Sequence, residues 1–381
     1  VDVTRCGTLS VVIQVTRQQV LARRQEVHGL AARRPRPTDL AVLDLGVQNT
    51  PPGALVAALS ARLDVPLTPD ADLTGGGALT LAWTLRGAPH LHRTADLPVV
   101  AAACWPRDDA DAAARLGWQR KRLAEVDGAA RWAYRTVADA VRAVLVAPMT
   151  KAALSRAVTE RVPAELSPFC KPCGVHHVGE QLLRLAALPG GARLVPGSRP
   201  LLFEPIPGWP GPPTDDASGS RPLQAAYVRF FAPASDADLT AFLATTRAAA
   251  AADRPTGTVE VEVEGRRGAV AEADLNALRE AEVRDVVRLL PPSDPFLQGR
   301  DRELLVPEPQ HRKQIWTSLG APGVVVSGIE VIGVWRTTQR GGKLDVAVTR
   351  FRPFADSEWA VVALEAERLG VVRGASQVVA Q

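Results

Sequence analysis

Apolar positions along the first hundred residues change period. In TRQQVLARRQEVHGL (16–30) they return every three to four residues, which predicts an amphipathic helix with Thr16 as N-cap. A second helix is expected over DLAVLDLG, capped by Thr38, and a third over ALVAALSARL, with Pro52 near its start. After the glycine-rich turn at 74–77, ALTLAWTLRGAPHLHR reads as two strands of a hairpin. Three helices and then a hairpin is the outline of a winged helix.

The outline recurs. Helices are predicted over 110–122, 129–146 and 150–161, the last capped by Thr150, and EQLLRLAAL with GARLVPGS supplies a second wing. Residues 205–222, rich in proline and glycine, form the clearest linker. A third unit follows: LQAAYVRFFAP, then SDADLTAFLATTRAAAAA capped by Ser235, then TVEVEVEGRRGAV alternating around Gly265. From Val287 the runs are short and β-rich, closed by a helix over 357–369. The fold class is therefore α+β: winged-helix units at 1–105, 106–204 and 223–286, a linker at 205–222, and a β-barrel-like module at 287–381. Winged helices mostly bind duplex DNA, and three in one chain suggest a curved surface around nucleic acid, an inference by fold analogy.

Composition adds bounds. The 381 residues are 46% hydrophobic and 23% charged, enough for a sizeable core. No run of about 18 apolar residues predicts a membrane span. VDVTRCGTLSVVIQV lacks the features of a signal peptide. Four cysteines (Cys6, Cys104, Cys170, Cys173) are too few for a disulfide scaffold, so an intracellular soluble protein is expected. The formal net charge of +4 does not by itself establish a nucleic-acid partner. Of 45 basic residues only five are lysine; GC-rich coding explains most of this, although guanidinium also suits phosphate and base contacts.

Few motifs carry chemistry. CKPCGVHH places Cys170, Cys173, His176 and His177 within eight residues. Structural zinc usually takes two separated ligand pairs, and adjacent histidines point apart, so a loop packed by two buried thiols is favoured and no metal is expected. Phosphate-loop, dinucleotide, HExxH and GxSxG motifs are absent. LDLGVQNTPP sets Asp44, Gln48, Asn49 and Thr50 at a helix end and in the following turn, where polar side chains can position a water. Asn and Thr before Pro-Pro-Gly are equally ordinary turn residues.

The chain resembles the AlkZ/YcaQ-type DNA glycosylases over nearly its whole length. The strongest likeness is LLPPSDPFLQGRDRELLVPEPQHRKQIW followed by GVVVSGIEVIGVWR, against the family's LLPxFDP start, basic turn and G-x-V-x-G-x-W strand pair. LGVQNTPPGALVAALSARL and TLRGAPHLHR match its Q-x-Q or Q-x-D triplet and R-x-x-x-H wing. The resemblance implies a monofunctional glycosylase that removes N7- or N3-alkylated purines, including bulky natural-product adducts and crosslinks. It also implies tandem winged helices and a β-barrel around a DNA channel. Some members give self-resistance to producers of DNA-damaging antibiotics. A cytoplasmic, nucleoid-associated monomer that needs no cofactor is expected, with damaged duplex DNA as partner.

Residue by residue, Gln48 matches the first Gln of the triplet, and Thr50 stands where the second Gln or Asp is usual. Gln48 and Asn49 are the expected water-positioning residues, with Asp44 as a carboxylate assist. Arg86 and His90 match the wing motif and His92 is an extra. Arg300, Arg302 and Arg336 are candidate phosphate contacts, and Arg340 lies in QRGG, a hairpin tip expected to probe the lesion. The rival reading is a non-catalytic winged-helix DNA binder or transcriptional regulator.

Overall fold

A computed structural model describes residues 12–122, 130–214 and 219–381. The expected lack of a leader, Cys6, Ala129 and residues 215–218 of the linker fall wholly or partly outside the described residues. Thr16 opens the first helix, Arg17–Val27, as a capping box: its hydroxyl accepts from the Gln19 N–H, and the Gln19 side chain accepts from the Thr16 N–H. The helix expected over DLAVLDLG is instead two 3-10 turns, Pro37–Asp39 and Ala41–Asp44. Leu40 between them is extended, and the Arg93 guanidinium takes the Thr38 and Leu40 carbonyls that a helix would have used.

The two hairpins expected as separate wings share one sheet. Its order is Val47–Gln48, Pro89–Arg93, Leu79–Trp83, Ala192–Leu194, Leu202–Pro205, Met149–Thr150. Leu81 opposite Leu194 joins the two halves, and Trp83 meets Phe203 edge-on with ring centroids 4.7 Å apart. One core therefore runs from Val27 to Leu243, filled by this sheet and by helices such as Ala130–Val144 and Glu180–Ala187. The described part of the linker is packed too: the Trp209 indole donates to the Pro189 carbonyl at 2.9 Å, and the Arg142 guanidinium to Pro210.

Beyond it, Arg221–Phe231, Asp236–Leu243 and Arg247–Ala252 precede the hairpin Thr258–Val263/Arg266–Ala271. Ile13–Gln14, near the start of the chain, adds to this hairpin as a parallel strand, a pairing invisible to local pattern. The last module is a sheet in the order Val287–Leu290, Gly323–Ser327, Glu330–Arg340, Lys343–Arg350, Gln377–Ala380. It curls as an open half barrel rather than closing. Val362, Ala366, Leu369 and Val372 of the helix Asp356–Arg373 pack against it, and that helix touches both edge strands. A side chain at Gly323 would occupy the place of the Trp335 indole, whose N–H donates to the Leu290 and Val324 carbonyls at 3.1 Å each.

The CKPCGVHH loop differs from expectation. It is an exposed two-stranded hairpin, Phe169–Cys170 with Val175–His176; Cys170 is half-buried and Cys173 exposed. Among the described residues no helix is long and apolar enough to cross a membrane.

Candidate active site

Gln48 ends the short edge strand Val47–Gln48, held by the pairs Val47–Leu91 and Gln48–His90. Its half-buried amide makes no hydrogen bond to the described residues and lines a cavity of about 320 Å³. Arg86, Arg300, Arg302, Ser293, Gln298 and Trp316 line the same cavity. A narrow extension carries Gln48 and Arg86 on to His90, Leu85 and Phe242.

Three loops bring these groups together. Arg86 sits in the hairpin turn at φ 58°, a left-handed conformation that costs an L-residue about 1–2 kcal/mol. The Glu180–Ala187 helix grips the turn: Gln181 donates to the Arg86 carbonyl and Arg184 to that of Gly87. Ser293, at φ 63°, is a second left-handed residue on the cavity wall, so two of its lining residues are held in sparsely populated backbone.

Buried ion pairs fix the loops. Arg62 binds Asp294, next to Ser293, through two bonds of 2.8 and 2.7 Å and also donates to the His28 and Ala58 carbonyls. Arg24 binds Asp301, between Arg300 and Arg302, and donates to the Phe231 and Ala232 carbonyls.

The cavity's charge is positive. Arg86, Arg300 and Arg302 have no carboxylate within salt-bridge distance among the described residues. Burial, then the neighbouring Arg300, draws Arg86 down to about 10, and the same two causes lower Arg302. Arg86 donates to the Phe242 carbonyl and Arg300 to that of Ala241, at the C-terminal end of Asp236–Leu243, where helix carbonyls favour cations. Arg302 also stacks over Trp316 at 4.7 Å. Uncompensated guanidiniums at the mouth of a polar cavity make an anion site.

The other candidates stand elsewhere. Asp44 is held by Arg93 at 2.6 Å and Arg229 at 2.9 Å, one to each oxygen. Asn49 accepts from the Gly53 N–H at 3.2 Å and faces a separate groove, and Thr50 is exposed beside it. His92 is buried with its ring against Gly46, where φ is +81° and a side chain would collide with the imidazole. Arg336 donates to Gly320 beside the cavity rim, and Arg340 is exposed at the hairpin tip. Sequence reasoning missed Ser293, Gln298 and Trp316. All three lie in the LLPPSDPFLQGR…W stretch that carried the family likeness, so the signal was present without a role attached.

Burial keeps three histidines, His28, His90 and His92, neutral. His28 and His90 are held well below the usual range by burial first, and then by the nearby arginines Arg62 and Arg86 respectively. His92 falls to about 4, again through burial, against the opposing pull of the Leu43 carbonyl. Each folded pKa lies below its unfolded value of about 6.5, so their contribution is complete above that pH and is lost as pH falls below it, for His92 toward about 4. The urea midpoint is accordingly expected to drop between pH ~7 and ~5; a flat midpoint would mean that these imidazoles take up protons in the fold.

Residues 44–371 match the family described as DNA glycosylase AlkZ-like. The fold is similar to that of the Streptomyces sahachiroi DNA glycosylase AlkZ, at 19% identity and a TM-score of 0.74, over 97% of this chain and 100% of that one. No curated protein sequence matches the chain. The family match spans most of the chain, including all three site loops: the protein belongs to the AlkZ-like DNA glycosylase family.

Proposed function

We propose that the protein hydrolyses the N-glycosidic bond of alkylated purines in duplex DNA, N7-guanine and N3-adenine adducts including bulky ones, with Gln48 positioning the water. The observation that carries this reading is an unpartnered amide in a polar cavity walled by three uncompensated guanidiniums.

The chemistry suits those groups. An N7-alkylguanine already carries positive charge, so its departure needs no general acid. What remains is to orient a water at C1′ and to tolerate an oxocarbenium-like sugar. The Gln48 amide oxygen accepts a hydrogen bond from that water and directs its lone pair at C1′. Arg86, Arg300 and Arg302 bind the flanking phosphates, which neutralise them so that they do not oppose the developing sugar cation. Trp316 gives an apolar adduct a face to lie on. Amides, a hydroxyl and guanidiniums are poor metal ligands, and the reaction as drawn uses no metal or cofactor. The hairpin pairs Leu79–Trp83/Pro89–Arg93, Ala192–Leu194/Leu202–Pro205 and Thr258–Val263/Arg266–Ala271 serve as three wings framing the DNA. We place Asn49, Thr50 and Asp44 outside the reacting group, in the turn and ion pairs that support it.

Duplex containing N7-methylguanine or a bulky guanine adduct tests the reading directly. Release of free base with abasic sites left behind is expected, and tight binding without release on both substrates would favour the non-catalytic DNA binder. Arg300→Gln and Arg302→Gln should each flatten the salt dependence of DNA affinity by about one unit of log–log slope, the loss of one phosphate contact.

A further inference from the structure

We propose that the exposed hairpin around Cys170 is a zinc site, with Cys170, Cys173 and His177 as three protein ligands and one coordination position left to water. The ligand atoms of these three residues lie within 4.8 Å of one another. In a tetrahedral site with Zn–S near 2.3 Å and Zn–N near 2.0 Å, ligand atoms stand about 3.5–3.8 Å apart, so a contraction of at most about 1.3 Å closes the set.

The backbone is already shaped for it. The Cys173 N–H donates to the Cys170 carbonyl at 3.1 Å, closing the turn that sets the two thiols side by side; the Gly174 N–H donates to the same carbonyl at 2.8 Å, and Gly174 at φ 68° turns the chain back toward His177. His177 contributes its nitrogen from the far strand end. Its Nδ1 lies 2.7 Å from the Val178 carbonyl, which only accepts, so Nδ1 carries the proton and Nε2 keeps its lone pair for a metal. His176 stands outside the set: its ring packs edge-on against Phe169 at 5.3 Å, with Nδ1 turned to the Ser167 carbonyl, and only His177 brings a ring nitrogen beside the two thiols.

Besides the Phe169–His176 ring contact and the His176–Ser167 bond, little else ties the hairpin together among the described residues. Its ladder is two residues per strand, and its apolar side chains Phe169 and Val175 are 51% and 54% exposed. A pair of strands this short is marginal in water without a core beneath it; a metal clip supplies the missing restraint. Zinc fits better than harder cations because two of the three donors are sulfur. On binding, two thiol protons leave to solvent and two S–Zn bonds form, so affinity rises with pH. The hairpin leads directly into Glu180–Ala187, the helix that grips the Arg86 turn, which makes this clip a structural support at one remove from the cavity.

The test uses the full chain in a C6S/C104S background, so that only the hairpin thiols remain. Reduced protein loaded with Zn(II) and gel-filtered is expected to retain one equivalent. Co(II) should give the thiolate charge-transfer and visible d–d bands of a tetrahedral site. C170S and C173S should each abolish both signals, His177→Asn should weaken binding at least ~tenfold, and His176→Asn should leave it unchanged. Substoichiometric metal, a cobalt spectrum without thiolate bands, or equal retention by C173S would overturn the assignment. So would a Cys170–Cys173 disulfide forming in the presence of zinc, read as the loss of two hydrogens by mass spectrometry. Circular dichroism of each variant separates loss of the site from loss of the fold.

Discussion

Gln48→Ala is expected to slow single-turnover release of an alkylated base about a hundredfold or more, while duplex affinity and thermal midpoint stay close to wild type. The expectation rests on what Gln48 does not touch. Its amide makes no hydrogen bond to the described residues, so truncation orphans nothing, and the strand it ends is held by backbone pairs to Leu91 and His90. Asn49→Ala should behave the opposite way. It removes the acceptor for the Gly53 N–H, at a cost of about 0.5–2 kcal/mol typical of a lost cap, and should leave the rate of base release near wild type. Equal rate losses in the two variants would transfer the water to the turn.

The largest stability effect is expected at Asp294. The Arg62 and Asp294 side chains are 1% and 0% exposed, and removing the carboxylate leaves a guanidinium in the interior without its charge partner. Asp294→Ala should therefore lower unfolding free energy by roughly 3–5 kcal/mol, read from urea denaturation. It also removes the acceptor for the Phe296 N–H that opens the turn carrying Gln298. Arg62→Met with Asp294→Leu should cost less than either single change, because no charge is then stranded. A loss below about 1 kcal/mol for Asp294→Ala would mean that water reaches Arg62 in the folded state.

Local chemistry was legible in the sequence; distant chemistry was not. Thr16, Thr150 and Ser235 each cap the helix that their spacing predicted, because a cap is satisfied within three residues. The DLAVLDLG helix failed because Arg93, some fifty positions on, takes its carbonyls. Asp44, expected as a carboxylate assist, is held instead by Arg93 and Arg229, the latter 185 positions away. The two hairpins expected as separate wings join one sheet through a single pair, Leu81 with Leu194, that no periodicity encodes. The cavity was half visible: Gln48, Arg86, Arg300 and Arg302 came through family likeness, whereas Ser293 owes its place to a left-handed backbone that composition does not announce.

The two buried ion pairs also govern when the protein can finish folding. Arg24 waits for Asp301, 277 positions later, and Arg62 for Asp294, 232 positions later. A ribosome making this chain exposes both cations long before either counter-charge exists, so the segments carrying Arg24 and Arg62 are expected to lock in place only after the start of the last module has emerged. Nascent chains stalled before residue 294 should remain open to proteases around Arg17–Val27 and Arg62, although the core from Val27 to Leu243 has already been synthesised.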